Sequence, residues 1–236
     1  MPTHFLGGVS TAAVGNPLHQ FGMPDPTKWQ VYFDDFHVLP TAASPATHIL
    51  TAISVAAGDS AATLLDAGLG VVRITTVANE NDGLWVQTVN EPFLLVQGKK
   101  TFVKVRFQVG NAIESDMVFG LHSTSTTPQA ATTRFLFESV DGAAAIYFNN
   151  DNNTTDSDSS TVATLADDTW ITLAAYYNGA GIIQLYANDV QTATMGTTAS
   201  PITVTGAEMA VGFGYINGAA GAETTDIDYI FVAQER

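Results

Sequence analysis

The sequence predicts an all-β chain folded as a two-sheet antiparallel jelly-roll sandwich with an extended N-terminal arm. Three observations carry this reading. Trp170 to Met195 reads as three strands joined by two tight turns, and Thr101 to Val109 alternates apolar and polar side chains without a break. Apolar runs then recur every ten or so residues between polar turns, with no long helical period competing. The hydrophobic content favours a jelly roll; a barrel enclosing a cavity is the second choice.

The totals set the bounds. A chain of 236 residues without a charge block or Gly/Ser linker reads as one domain, residues 41–236, preceded by an arm over residues 1–40. A hydrophobic share of 46% is ample for a core, while 13% charged is low against the usual quarter, so the polar surface must come from Thr, Ser, Asn and Gln. Twenty-three acidic residues against eight basic ones give a net charge of -15, which argues against nucleic acid as a partner, because phosphate binding rests on basic side chains. Without cysteine there are no disulfides or thiolate metal sites. The first ten residues lack a basic start followed by an apolar stretch, and no run is long enough to cross a bilayer, so neither secretion signal nor membrane contact is expected.

In the arm, Gly7-Gly8, Asn16-Pro17, Pro24-Asp25-Pro26 and Pro40 interrupt regular structure. Yet Phe5, Leu6, Leu18, Phe21, Trp29, Tyr32, Phe33 and Phe36 are strongly apolar. Burying a large side chain contributes roughly 1.5–3 kcal/mol, so these residues need a surface, either on their own domain or on a neighbouring subunit. Phe5, Leu18, Phe21, Trp29, Tyr32 and Phe33 are the candidate contact residues.

Thr47 to Gly70 reads as short strands with Leu50, Ile53, Val55, Leu64 and Leu65 as apolar points. Val71 to Val77 and Leu84 to Val89 read as a hairpin across AlaAsnGluAsnAspGly. On Thr101 to Val109, Val103, Val105, Phe107 and Val109 form a core face. Met117 to His122, Arg134 to Ser139 and Ala143 to Asn149 continue as strands between polar loops, one of them running from Asn149 to Ser160.

The Trp170 to Tyr177 strand is apolar on both alternating sets, as for a central strand covered on both sides. Asn178-Gly179 and Asn188-Asp189 supply residues that tolerate positive φ in hairpin turns. Met209, Val211, Phe213 and Tyr215 alternate with Ala210, Gly212 and Gly214, a bare face that admits close approach by another backbone or a bend. The last strand closes the domain at Ala233.

The order of the Trp170 strand, the LeuTyrAlaAsnAspVal hairpin, the Met209 to Tyr215 strand and the closing IleAspTyrIlePheVal resembles the concanavalin A-like, laminin G-like jelly-roll family over residues 100–236. The opening GlyGlyValSerThrAlaAlaValGlyAsnProLeu, PheGlyMetProAspProThrLysTrp and TyrPheAspAspPhe resembles the start of structural proteins of tailed bacteriophages that join such an arm to a jelly roll. This second resemblance implies a non-enzymatic virion component, a capsid decoration or cement protein assembled in the host cytoplasm and bound to the capsid exterior. Its partners would be the major capsid protein and further copies of itself, as a homotrimer. The alternative is a carbohydrate-binding, lectin-like module on a tail or fibre, or free, with a glycan as partner.

No catalytic, metal or cofactor residue is assigned. Relatives that cleave β-glucans carry Glu-x-Asp-x-x-Glu on one strand, whereas Glu114-Ser115-Asp116-Met117-Val118-Phe119 has no third carboxylate, and Glu114 and Asp116 read as a solvated turn. Asp151, Asp156 and Asp158 have oxygen ligands for Ca²⁺ but no EF-hand spacing, and read as a solvated loop. Asp226 and Asp228 share one face of the last strand, read as a polar outer face. His4, His19, His37, His48 and His122 show no metal-ligand spacing. Trp85, Tyr147 and Tyr186 would stack on sugars where exposed and otherwise belong to the core.

Overall fold

The computed structural model describes residues 24, 26–36, 50–55, 60–66, 70–153 and 156–236, with backbone alone at 51–55, 66, 156 and 157. Among these residues sixteen strands pair antiparallel into two sheets. The first runs β14 (Val190–Met195), β13 (Ile183–Ala187), β12 (Ile171–Tyr177), β7 (Thr101–Val109), β16 (Thr224–Glu235), β4 (Val71–Thr75) and β3 (Ala61–Asp66), with β1 (Trp29–Asp34) also on β16. The second runs β11 (Asp156–Thr164), β10 (Ala145–Asn152), β9 (Thr133–Ser139), β8 (Ser115–His122), β15 (Glu208–Asn217), β5 (Gly83–Thr88) and β2 (Leu50–Val55), with β6 (Phe93–Leu94) on β15. Together they form the jelly-roll sandwich.

Period-two patterning places the core between the sheets. Val103, Val105, Phe107 and Val109 of β7 are buried, and Phe107 stacks on Phe119 of β8 with ring centroids 4.7 Å apart, joining the two inner faces. Phe135 and Phe137 meet Phe148 edge-on at 4.7 and 5.0 Å. On β16 the pairing shifts between Ile227 and Tyr229, so that Ile227, Ile230 and Val232 are all buried despite the odd spacing of the first two.

The β12–β13–β14 meander is present, and its second turn is built by Asn188 and Asp189 at φ of 49° and 63°. In its first turn the positive φ falls on Gly179 and Gly181. Strand β12 is interior, and its two faces differ: Ile171, Leu173, Ala175 and Tyr177 are buried on the core side, while on the outer side Ala174 is buried but Thr172 and Tyr176 stay half-exposed.

Two further expectations change. Strands β4 and β5 do not form a hairpin, because β4 pairs with β3 and β16 in one sheet and β5 with β2 and β15 in the other. The connection between them carries the chain across the sandwich. The polar run from Asn149 to Ser160 is mostly strand: Asn149 opposes Ser159, and Asn152 opposes Asp156. Polar side chains are at home there because one face of β10 and β11 looks outward.

Residues 29–34, expected to lack regular structure, form β1, paired with the end of β16 from Trp29–Glu235 to Asp34–Ile230. Tyr32 turns inward and joins the core, and its hydroxyl donates to Asp34 Oδ2 at 3.1 Å, whereas Phe33 is 58% exposed. Trp29 is half-buried. Phe5, Leu18 and Phe21 lie outside the described residues.

Candidate functional site on the outer face of the second sheet

On β15, Met209, Val211, Phe213 and Tyr215 face the core, leaving Ala210, Gly212 and Gly214 on the outer side. Two rings fill the bare face. A Cβ at Gly212 would come within 2.0 Å of His122 Nε2, and one at Gly214 within 2.1 Å of the Trp85 indole. Trp85, Val118, Leu136 and Ile216 form a small second apolar cluster on this outer side.

Cross-strand register extends the face over β8, β9 and β10 in three rows. His122 is opposite Arg134, and Arg134 opposite Asp151; Gly120 leads to Leu136 and Asn149; Val118 leads to Glu138 and Tyr147. The sequence puts them there by alternation, since Arg134, Leu136 and Glu138 point out where Phe135 and Phe137 point in, and Tyr147, Asn149 and Asp151 alternate with Ile146 and Phe148.

Arg134 organises the polar half. Its Nε and Nη2 both donate to Asp151 Oδ2, and its Nη1 donates to Glu138 Oε2 at 3.1 Å and to the Gln129 carbonyl. The Asn149 amide donates to the same Glu138 oxygen. A 3-10 turn at Pro128–Ala130 lies against this face, and Gln129 Nε2 donates to the Ser139 carbonyl at 3.5 Å.

Burial pushes the Glu138 carboxyl above its usual range, against the Arg134 charge and the Asn149 hydrogen bond, and the charges of Asp151 and Asp116 push the same way. Asp116 is also raised, first by burial; its Oδ1 accepts the Asp141 N–H at 2.7 Å. Asp116 therefore does not sit in a solvated turn. It is 8% exposed on β8.

Three buried polar atoms on this face have no hydrogen-bond partner: Asp151 Oδ1, His122 Nε2 and Trp85 Nε1. His122 Nδ1 lies 2.8 Å from the Ser123 carbonyl, which only accepts, so Nδ1 carries the proton and Nε2 is a bare acceptor. Burial lowers the imidazole pKa and keeps it neutral. The unpaired set is thus two acceptors and one donor.

Sequence reading had placed these groups otherwise. Asp151, taken as a loop residue, is buried on β10 and committed to Arg134; Asp158 lies across the hairpin, opposite Asn150. Asp226 and Asp228 each bind their own cation, with Arg73 Nε and Nη2 gripping Asp226 at 2.6 and 2.7 Å and Arg106 holding Asp228. Of the stacking candidates, Trp85 is 1% exposed and belongs to the outer apolar cluster, Tyr147 is half-buried beside Glu138, and Tyr186 lies on the opposite sheet. His4, His19, His37 and His48 lie outside the described residues. Arg134, Glu138 and Asn149 were missed; the signal was Arg134 and Glu138 flanking Phe135 and Phe137 on one strand, and Asn149 and Asp151 in alternation with Phe148 on the next.

Among known proteins, no family model and no curated sequence matches the chain. Solved structures do match in fold. A protein of unknown function from Shewanella oneidensis MR-1 superposes with a TM-score of 0.60 at 15% identity, covering 96% of this chain and 97% of that one. An endo-1,3-β-glucanase from Streptomyces sioyaensis gives 0.56 at 13% identity over 87% and 96%, and the carbohydrate recognition domain of Emp47p gives 0.54 at 12% over 88% and 97%. The fold is therefore a two-sheet jelly-roll sandwich of the kind these structures share. At these identities the likeness extends to fold alone.

Proposed function

We propose that the chain is a carbohydrate-binding module whose site is the outer face of β8, β9 and β10. The carrying observation is the Arg134–Asp151–Glu138–Asn149 network beside the half-exposed Tyr147 ring. The apolar face of a pyranose packs on such an aromatic ring, and its hydroxyls both donate and accept at the polar strand residues around it. Arg134 serves by fixing Asp151 and Glu138 in place on the strand face. Carbohydrate recognition in the Emp47p domain of like fold supports the reading.

Binding without cleavage is the reading for this face, although one structure of like fold is a glucanase. The Glu-x-Asp-x-x-Glu strand is absent, and the Glu138 carboxylate is occupied by Arg134 and Asn149. The test is titration calorimetry against β-glucans and a broad glycan panel. Wild type binds, Tyr147→Ala loses at least about tenfold in affinity with an unchanged melting temperature, and no reducing ends appear from β-1,3-glucan. Absence of binding across the panel overturns the reading.

Attachment to a virion is a separate proposal, favoured by one observation, the exposed Phe33 ring on the strand that continues the N-terminal region. Copies of the chain per major capsid subunit, counted by mass spectrometry of particles, test it.

A further inference from the structure

The outer face of the first sheet carries a contiguous layer of rings. Phe33 of β1 lies 6.3 Å from Phe231 and 6.2 Å from Tyr229 of β16, and Phe231 lies 5.8 Å from Phe102 of β7. Register continues the layer, since Phe102 is opposite Tyr176 of β12, and Tyr186 of β13 is opposite Ala174. Five neighbouring strands thus present aromatic side chains on one side. Phe33 at 58% exposure is the most open of them.

The cations of this face are paired with carboxylates. Arg73 pairs with Asp226, Arg106 with Asp228 while its guanidinium lies 4.3 Å over the Trp170 ring, and Lys104 with Asp189 at 2.7 Å. These pairs use three of eight cations and three of twenty-three carboxylates, and Glu235, whose Oε2 accepts the Lys100 N–H, adds a fourth carboxylate at the end of β16. The face is therefore much closer to neutral than a chain of net charge -15 taken whole, and two copies meeting through it bring aromatic area and paired charges together.

We propose that this face is the contact between two copies of the chain, related by a twofold axis that sets the β1–β16–β7–β12–β13 face of one against that of the other. An isologous contact needs a surface complementary to itself, and an aromatic face whose cations are each paired with a carboxylate meets that need. Five strands at about 4.8 Å spacing and about four residues at 3.4 Å span roughly 300 Å², below the roughly 800 Å² per partner of a standard interface. The dimer is accordingly a weak one, at or below the small end of the interfaces of transient complexes. It uses the sheet opposite the carbohydrate site and does not depend on that reading.

Sedimentation velocity of the full chain over a concentration series tests it, at low and at moderate salt. The expected result is a monomer–dimer equilibrium that Phe33→Ser and Tyr186→Ser each weaken at least about tenfold, with unchanged circular dichroism and melting temperature. Ile113→Ser removes another exposed apolar side chain, 52% exposed, and leaves the equilibrium as in wild type. A monomer at every concentration overturns the proposal, as does a dimer that both face variants leave intact.

Discussion

The His122 imidazole occupies the space that a side chain at position 212 would fill, 2.0 Å from where its Cβ would stand. Gly212→Ala forces a buried ring off its seat, and overpacking of that kind costs about 1–3 kcal/mol. Urea denaturation should show that loss in Gly212→Ala. His122→Ala combined with Gly212→Ala should be less damaged than the sum of the two single changes, because loss of the imidazole removes the clash that the new methyl at 212 makes.

The Asp116 carboxyl is raised by burial, so the folded chain holds its proton more readily than the unfolded one. Stability from this group is present below its ordinary pKa of 3.8, is lost as pH rises through the higher folded value, and stays lost above it. Asp116→Asn keeps an oxygen for the Asp141 N–H and removes the buried charge. Denaturant midpoints should be higher than wild type at neutral pH, with the difference closing below pH 3.8.

His122 runs the other way. Its folded pKa is lowered from 6.5, so the unfolded chain takes the proton first on acidification. The stability contributed by the neutral ring is full above pH 6.5 and falls as pH drops from there through the folded value. His122→Gln should flatten that limb of the profile, and NMR of wild type should show an Nδ1-protonated ring at neutral pH.

The ion pairs of the first sheet should differ sharply in worth. Asp226 is 3% exposed and accepts two bonds from Arg73 and one from Gln108 at 2.9 Å. Asp226→Ala removes two charge-assisted hydrogen bonds from Arg73 but leaves a guanidinium that is 35% exposed and can be solvated, and should cost about 1.5–2 kcal/mol. Asp189 is 76% exposed, and breaking its bridge to Lys104 should cost under about 1 kcal/mol. Asp189→Gly should offset even that, since φ of 63° suits glycine better.

Alternation made the sandwich legible. Thr101 to Val109 shows its two faces in the letters themselves, and Asn188-Asp189 shows its turn, because both depend on neighbours in sequence. Pairing between distant strands left no such mark. Val71 to Val77 and Leu84 to Val89 look like hairpin arms because a short polar connection suits a turn and a crossing between sheets equally. The candidate site was harder still: Arg134, Glu138, Asn149 and Asp151 are ordinary polar strand residues until register sets β8, β9 and β10 side by side. The bare face of β15 was visible, but its occupants, His122 and Trp85, come from positions 90 and 129 residues before the glycines they cover.

Strand β16 sits inside its sheet, between β7 on one edge and β4 and β1 on the other, although it follows all of them by more than a hundred residues. All three partners must therefore be made well before the sheet has its middle, and until then β1, β4 and β7 present bare strand edges. Such long-range closure is slow and leaves sticky intermediates. Yield in a cell should accordingly depend on translation speed and on chaperones that shelter those edges, and removal of the final dozen residues should give aggregates instead of a smaller folded domain.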